Sequence, residues 1–216
     1  MLNKIKNLFR KEKIKIKKLN PHKNEATIKE ALLRYKTEDS MDYDNFYNDI
    51  NYVSPGIHLS KYYDSCMNLL NDNELWLDVG CGSGNVLKNA IIDKNIKLYG
   101  MDVVDKSIKN AINNGIDCIK NSASNKYPYK DCLFHLVTAT DMLEHLHKKD
   151  VIPALKELYR VLKPNHYAVF APATKPDLTG HLHLTVENQD WWVSQCKEVG
   201  FLFIQFINQD GIIFKK

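Results

Sequence analysis

Arginine is almost missing from this 216-residue chain, with three residues against 27 lysines. Phosphate readers draw on the rigid guanidinium fork, so its scarcity argues against a nucleic-acid binder. No run of about 18 apolar residues occurs, which argues against a membrane-spanning helix. The N-terminus lacks the apolar stretch of a secretion signal. Five cysteines (Cys66, Cys81, Cys118, Cys132 and Cys196) are scattered, odd in number and never spaced C-x-x-C. That pattern argues against a disulfide framework or a thiolate zinc site and points to reduced thiols in a cytoplasm. There is no internal repeat and no Gly/Ser linker. What is present is ordinary for a globular α/β domain with extensions: 44% hydrophobic and 26% charged residues.

The net charge of +4 hides an asymmetry. Residues 1–18 hold eight basic side chains and one acid, a balance of +7, which leaves −3 on the rest. Leu2, Ile5, Leu8, Phe9, Ile16 and Leu19 give this tail one apolar helical stripe. Two readings stay open for it: a solvated extension, or a basic amphipathic segment making peripheral contact with an anionic membrane. The acidic body offers nucleic acid no clustered positive charge.

Three regions are expected: the basic tail 1–18, a helical cap or lid over 19–74, and an α/β domain over 75–216. The lid segment is rich in tyrosine (Tyr35, Tyr43, Tyr47, Tyr52, Tyr62, Tyr63) and is broken at Ser54-Pro-Gly56. Beyond it, short apolar runs at 75–79, 97–102, 116–120, 133–139 and 166–170 read as strands. Helical stretches at about 84–93, 105–114 and 149–162 lie between them. That alternation predicts a mainly parallel sheet with helices on both faces. A helix at 188–199 and strands at 201–207 and 212–214 follow. The short Asn208–Gly211 connection makes that last pair antiparallel.

The strand at 75–79 runs into Gly80-Cys-Gly-Ser-Gly84 and then a helix. Ligands bind where strands end in such sheets, and Asp102, closing the second strand, suits two ribose hydroxyls. A dinucleotide fingerprint needs G-x-G-x-x-G, but Asn85 stands at the third glycine's place. Asp78, two residues before the first glycine, would repel a pyrophosphate and attract an ammonium. These charges select S-adenosylmethionine over NAD. Asp78-Val-Gly-Cys-Gly-Ser-Gly84 resembles motif I of the class I methyltransferases, of the type 11/12-like kind. Asp102 resembles their ribose-binding acid, Asn121-Ser-Ala123 their adenine segment, and Leu155–Pro164 the helix before their fifth strand. The resemblance implies a Rossmann-like seven-stranded sheet of order 3-2-1-4-5-7-6 with the last strand antiparallel. It implies cofactor contacts from Asp78, Gly80, Cys81, Gly82, Gly84, Asp102, Val103, Ser122, Ala123 and Thr140.

The same resemblance places methyl transfer at the end of strand four, at Thr140-Asp-Met-Leu-Glu-His-Leu-His147. Asp141, Glu144 and His145 stand at i, i+3 and i+4, on one face of a helical turn. His181 and His183 follow strand five and point the same way if extended. Together the five suit a divalent metal (Mg2+, Mn2+ or Zn2+), similar to the E-x-x-E-H pattern of small-RNA 2′-O-methyltransferases and ubiquinone-pathway O-methyltransferases. The other reading is metal-free base catalysis by His145 and His181 with Glu144. His58, beside the Pro-Gly break, is in reach of the cofactor carboxylate or the substrate but reads first as an ordinary loop histidine, and Trp191-Trp192 as core or a cap contact rather than a substrate platform. The expected function is O-methylation of a small polar molecule: a sugar, sugar nucleotide or phenolic precursor. RNA 2′-O-methylation and a non-catalytic cofactor-binding module docking through the tail are the alternatives.

Overall fold

Alternation along the strands sorts their apolar side chains onto two faces. The computed structural model of the protein describes residues 29–37, 41–50, 53–177, 182–208 and 210–216. The basic tail and His181 lie outside the described residues. Strand β1 (Leu75–Val79) sends Leu77 and Val79 into one core and Trp76 into the other. Strand β4 (Phe134–Thr140) divides Val137 and Ala139 from Leu136 in the same way. With β2 (Lys97–Asp102), β3 (Asp117–Lys120), β5 (Leu162–Ala171), β6 (Leu202–Ile207) and β7 (Gly211–Lys215) they form a seven-stranded sheet. Its order is β3-β2-β1-β4-β5-β7-β6, parallel up to β5, with β7 antiparallel to both neighbours. This is the sheet the motif resemblance implied.

Helices α2 (Tyr63–Asn68), α3 (Asn89–Lys94) and α4 (Asp105–Asn113) supply Cys66, Ala90 and Ala111 to one core. Helices α5 (Lys148–Val161) and α6 (Gln189–Val199) supply Leu155, Leu158, Trp192 and Cys196 to the other. Both arrangements follow from apolar spacing at three and four residues. Ahead of them, the helix Tyr43–Asp49 (α1) buries Phe46 in a third, small cluster with Ala31 and Leu32, against which Leu182 also packs.

Two elements differ from the sequence reading. The helix expected from 84 begins only at Asn89. Gly84 sits at φ +62°, and the amides of Ser83 and Asn85 donate outward to the carbonyls of Ser54 and Pro55 at 2.8 and 3.3 Å. Those bonds hold the start of the segment in turns. Strand β5 is also longer than expected, continuing through Pro164 and a left-handed Asn165 (φ +64°). An irregularity between Phe134 and Leu136 absorbs the shift.

The Ser54–Gly56 break therefore crosses directly over the glycine turn. A Cβ at Gly82 would lie 2.8 Å from the Ser54 carbonyl oxygen and 2.9 Å from the Gly56 nitrogen, in a backbone of φ +55°. Backbone cannot yield as a side-chain tip can. Gly82→Ala is expected to destabilise by about 2 kcal/mol and lower Tm by about 4–8 °C. Calorimetric melting of the two proteins checks this.

Candidate active site

A cavity of about 530 Å3 opens at the C-terminal ends of β1, β2 and β4, a size typical of small-molecule sites. Gly80, Asp102, Val103, Ser122, Ala123, Asp141, His145 and His183 line it, as their positions in the sequence suggested. The Asp102 carboxylate accepts the amides of Gly82 (one oxygen) and Val104 (the other), each at 2.9 Å. It thus ties the second strand's end to the glycine turn while facing the cavity. Gly80, at φ +77°, brings bare backbone to the cavity wall beside Met142.

A small recess joins this cavity. It is lined by Ser54, Gly56, His58, Leu59, Asp78, Gly80, Cys81, Thr140 and Asp141. Asp78 is buried there, and burial pushes its carboxyl up to about 7, against the lowering effect of the Thr138 hydroxyl that donates to it at 2.6 Å. Trp76 Nε1 donates to the same Thr138 oxygen at 2.9 Å. Asp78 is thus a buried, hydrogen-bonded acid at the strand's end rather than an open anion.

Three sequence expectations need correction. The Cys81 side chain does not reach the cofactor cavity: its Sγ is buried against the Gly82 carbonyl and 3.6 Å from Cys118 Sγ. Gly82 and Gly84 are bare for the close approach of protein rather than ligand; a Cβ at Gly84 would overlap the Ile116 side chain. Asp141, Glu144 and His145 do not share a helical face. Asp141 takes a left-handed φ of +55°, and the turn after it is a short 3-10 segment, Leu143–His145. Asp141 Oδ2 instead meets His58 Nε2 at 3.0 Å.

Glu144, His145 and His183 do converge, with one donor atom from each within 4.8 Å of the others. Glu144 is completely buried, and its backbone carbonyl receives the amides of Leu184 and Thr185 at 2.8 and 3.0 Å, which pins the His183 segment in place. Both Glu144 carboxyl oxygens and His145 Nδ1 are buried without a hydrogen-bond partner. Burial, with the charge of Asp141 adding, pushes Glu144 up to about 8. Burial and the neighbouring His183 push His145 down to about 4. The His183 ring packs edge-on to His145 at 5.0 Å, and its Nδ1 donates to the Lys175 carbonyl at 2.7 Å. That bond leaves Nε2 with the lone pair, the usual arrangement behind a metal-binding imidazole. The buried, partnerless donor atoms fit a divalent cation. Two imidazoles and one carboxylate suit Zn2+ or Mn2+ better than Mg2+, which prefers oxygen ligands. Asp141 is not part of this set.

A second group, Glu74, His135 and His166, lies at the opposite end of the sheet. There the Leu75 amide donates to His135 Nδ1 at 3.1 Å. Lys163 Nζ lies 2.7 Å from His135 Nε2, so both ring nitrogens are already engaged by the protein and the group reads as polar packing.

The segment before β1 contributes residues that motif reading passed over. Tyr43, Tyr47 and Ile50 line the cavity together with Leu146 and Leu182, and Leu182 packs on the same small cluster as Tyr47 and Ile50. The Tyr43 hydroxyl donates to the His145 carbonyl, and its ring stacks on Tyr47 at 5.9 Å. The tyrosine spacing was visible in the sequence, but nothing local said which rings turn inward.

Comparison with known proteins agrees with this geometry. Residues 77–170 match a family described as a methyltransferase domain. Residues 77–170 thus carry a methyltransferase domain, in the strand order that the motif resemblance implied. The chain is 26% identical over 107 residues to the mitochondrial arginine-hydroxylase NDUFAF5 of Mus musculus, covering 49% of this chain and 31% of that one. It spans about a third of the length of the curated relatives it matches. Among solved structures, the [4+2]-cyclase SpnF superposes with a TM-score of 0.58 at 22% identity, covering 66% of this chain and 56% of SpnF. Phosphoethanolamine N-methyltransferase 2 of Haemonchus contortus, in complex with S-adenosyl-L-methionine, gives 0.62 at 15% identity, covering 81% and 47%. No helix among the described residues is long and apolar enough to cross a membrane.

A buried carboxyl raised to about 8 stays protonated in the fold after the unfolded chain has ionised near 4.3. Its stabilising effect is complete below the unfolded value and is lost as pH rises through the folded one. In chelator-treated protein, Glu144→Gln is therefore expected to gain stability over the wild type from pH 5 to pH 8, by on the order of a few kcal/mol. Urea midpoints at the two pH values test this, and parallel profiles would refute it.

Proposed function

We propose that this methyltransferase transfers the methyl group to a hydroxyl oxygen of a small polar molecule, such as a sugar, sugar nucleotide or phenolic precursor. The carrying observation is the convergence of His145, Glu144 and His183 beside the cavity, buried and without partners at Glu144 Oε1, Oε2 and His145 Nδ1. The sulfonium already activates the methyl group, so the protein must align the acceptor and remove its proton. A hydroxyl needs that help more than a nitrogen lone pair does.

Magnitudes decide between the two ways of doing it. A phenolic hydroxyl ionises near 10 and an imidazole held near 4 is about six units weaker as a base, roughly 8 kcal/mol. His145 acting alone is a poor base for this task. Glu144, His145 and His183 would hold a divalent cation, which would lower the pKa of a hydroxyl bound to it and orient an adjacent oxygen of a diol. We favour this metal-assisted form over base catalysis by His145 and His181. Tyr43, Tyr47, Leu146 and Leu182 close the acceptor side, and the pinned Ser54–Gly56 crossing keeps water from the donor turn. The slightly acidic body supports a small-molecule acceptor over a nucleic acid.

Labelled methyl transfer from S-adenosylmethionine into fractionated cell extract tests the proposal. Label is expected in the small-molecule fraction, falling at least tenfold after chelation and returning with Mn2+ or Zn2+. His145→Ala should lower kcat/KM by about 100-fold or more. Label appearing only in nitrogen-methylated product, or unchanged turnover in the variant, would overturn it.

A further inference from the structure

The His58–Asp141 ion pair stands where the main cavity meets the recess: both residues, with Ser54 and Gly80, line the two spaces together. His58 belongs to the short 3-10 segment after the Ser54–Gly56 crossing, and Asp141 follows β4 directly. The recess behind them measures only about 20 Å3, room for about one water. The cavity in front holds the ribose and adenine residues. The remaining part of the donor, its amino-acid end, carries one carboxylate and one ammonium side by side. Among the described residues, no arginine or lysine lines either space to take the carboxylate.

We propose that His58 and Asp141 form a split receptor for the donor's amino-acid zwitterion. Without ligand the two satisfy each other at 3.0 Å. With ligand they part: the His58 ring N–H pairs with the carboxylate and Asp141 with the ammonium. The protein's own donor–acceptor pair thus occupies the places of the ligand groups it receives. Side chains 44% and 34% exposed are held by water as well as by each other, so exchanging partners is inexpensive. From its left-handed backbone Asp141 reaches His58 across the cleft while its charge also acts on the neighbouring Glu144. Asp78, buried behind the recess and bonded to Thr138, backs the ammonium without needing to move. The lid thereby senses the donor before the acceptor arrives, because one half of the receptor lies on each side of the cleft.

This inference rests on the donor reading, and its test separates the two. Binding of S-adenosylhomocysteine and of 5′-methylthioadenosine, which lacks the amino-acid end, is measured by calorimetry on the full-length protein. His58→Ala is expected to weaken S-adenosylhomocysteine 10- to 100-fold and to change 5′-methylthioadenosine less than twofold. His58→Lys should restore most of the loss. Asp141→Asn, which keeps a residue at ease in left-handed backbone, should weaken S-adenosylhomocysteine but not its deaminated analogue. Equal weakening of both nucleosides, or unchanged S-adenosylhomocysteine binding in His58→Ala, would overturn the split receptor. Failure of the wild type to bind either nucleoside would instead overturn the donor assignment.

Discussion

The site depends on one backbone crossing. Ser54-Pro-Gly56 passes over the Gly80–Gly84 turn so closely that neither strand of chain has room for a Cβ at Gly56 or Gly82. The contact is held by amide-to-carbonyl bonds from Ser83 and Asn85. It fixes the segment before β1 to the glycine turn and brings His58 to the end of β4, beside the cavity that Tyr43 and Tyr47 also line. Two segments far apart in the chain thereby share one wall of the site. Because backbone groups make the contact, it is insensitive to side-chain identity except where a side chain would occlude it.

Around that crossing the charges are arranged by burial. Asp102 stays tied to two amides at the cavity rim. Asp78 and Glu144, equally acidic in the unfolded chain, are both pushed toward neutrality inside the fold, and His145 is pushed the other way. Holding the buried acid and the imidazole toward neutrality near pH 7 costs stability that a bound cation would offset. That charge state, rather than the fold, is what bears on the reaction. Structural relatives of this chain include one named for cycloaddition and one named for nitrogen methylation, and the mouse relative is named for hydroxylation. The same sheet therefore hosts different chemistries, and the acceptor must be argued from side chains.

The described lid and the tyrosines within it show how far local pattern reaches. Short apolar runs at 75–79 and 97–102 mark strands with the observed bounds, because a strand covered on both faces needs apolar side chains on both. The helix expected from 84 failed in its first turn because its amides were taken by a distant segment. Cys81 looked like part of the donor turn, yet its side chain lies on the core face beside Cys118. Spacing at i, i+3 and i+4 suggested one face for Asp141, Glu144 and His145, and a single left-handed residue cancelled it.

By itself the sequence determined the strand succession, the glycine turn and the acid eighteen residues beyond it, since each depends on neighbours a few residues away. Tertiary structure alone decided that His58 meets Asp141 and that Ser54 needs Gly82 bare. Those pairings join segments separated by whole strands and helices. Their partners are chosen by how the chain crosses itself, and burial then sets the charge that each group carries.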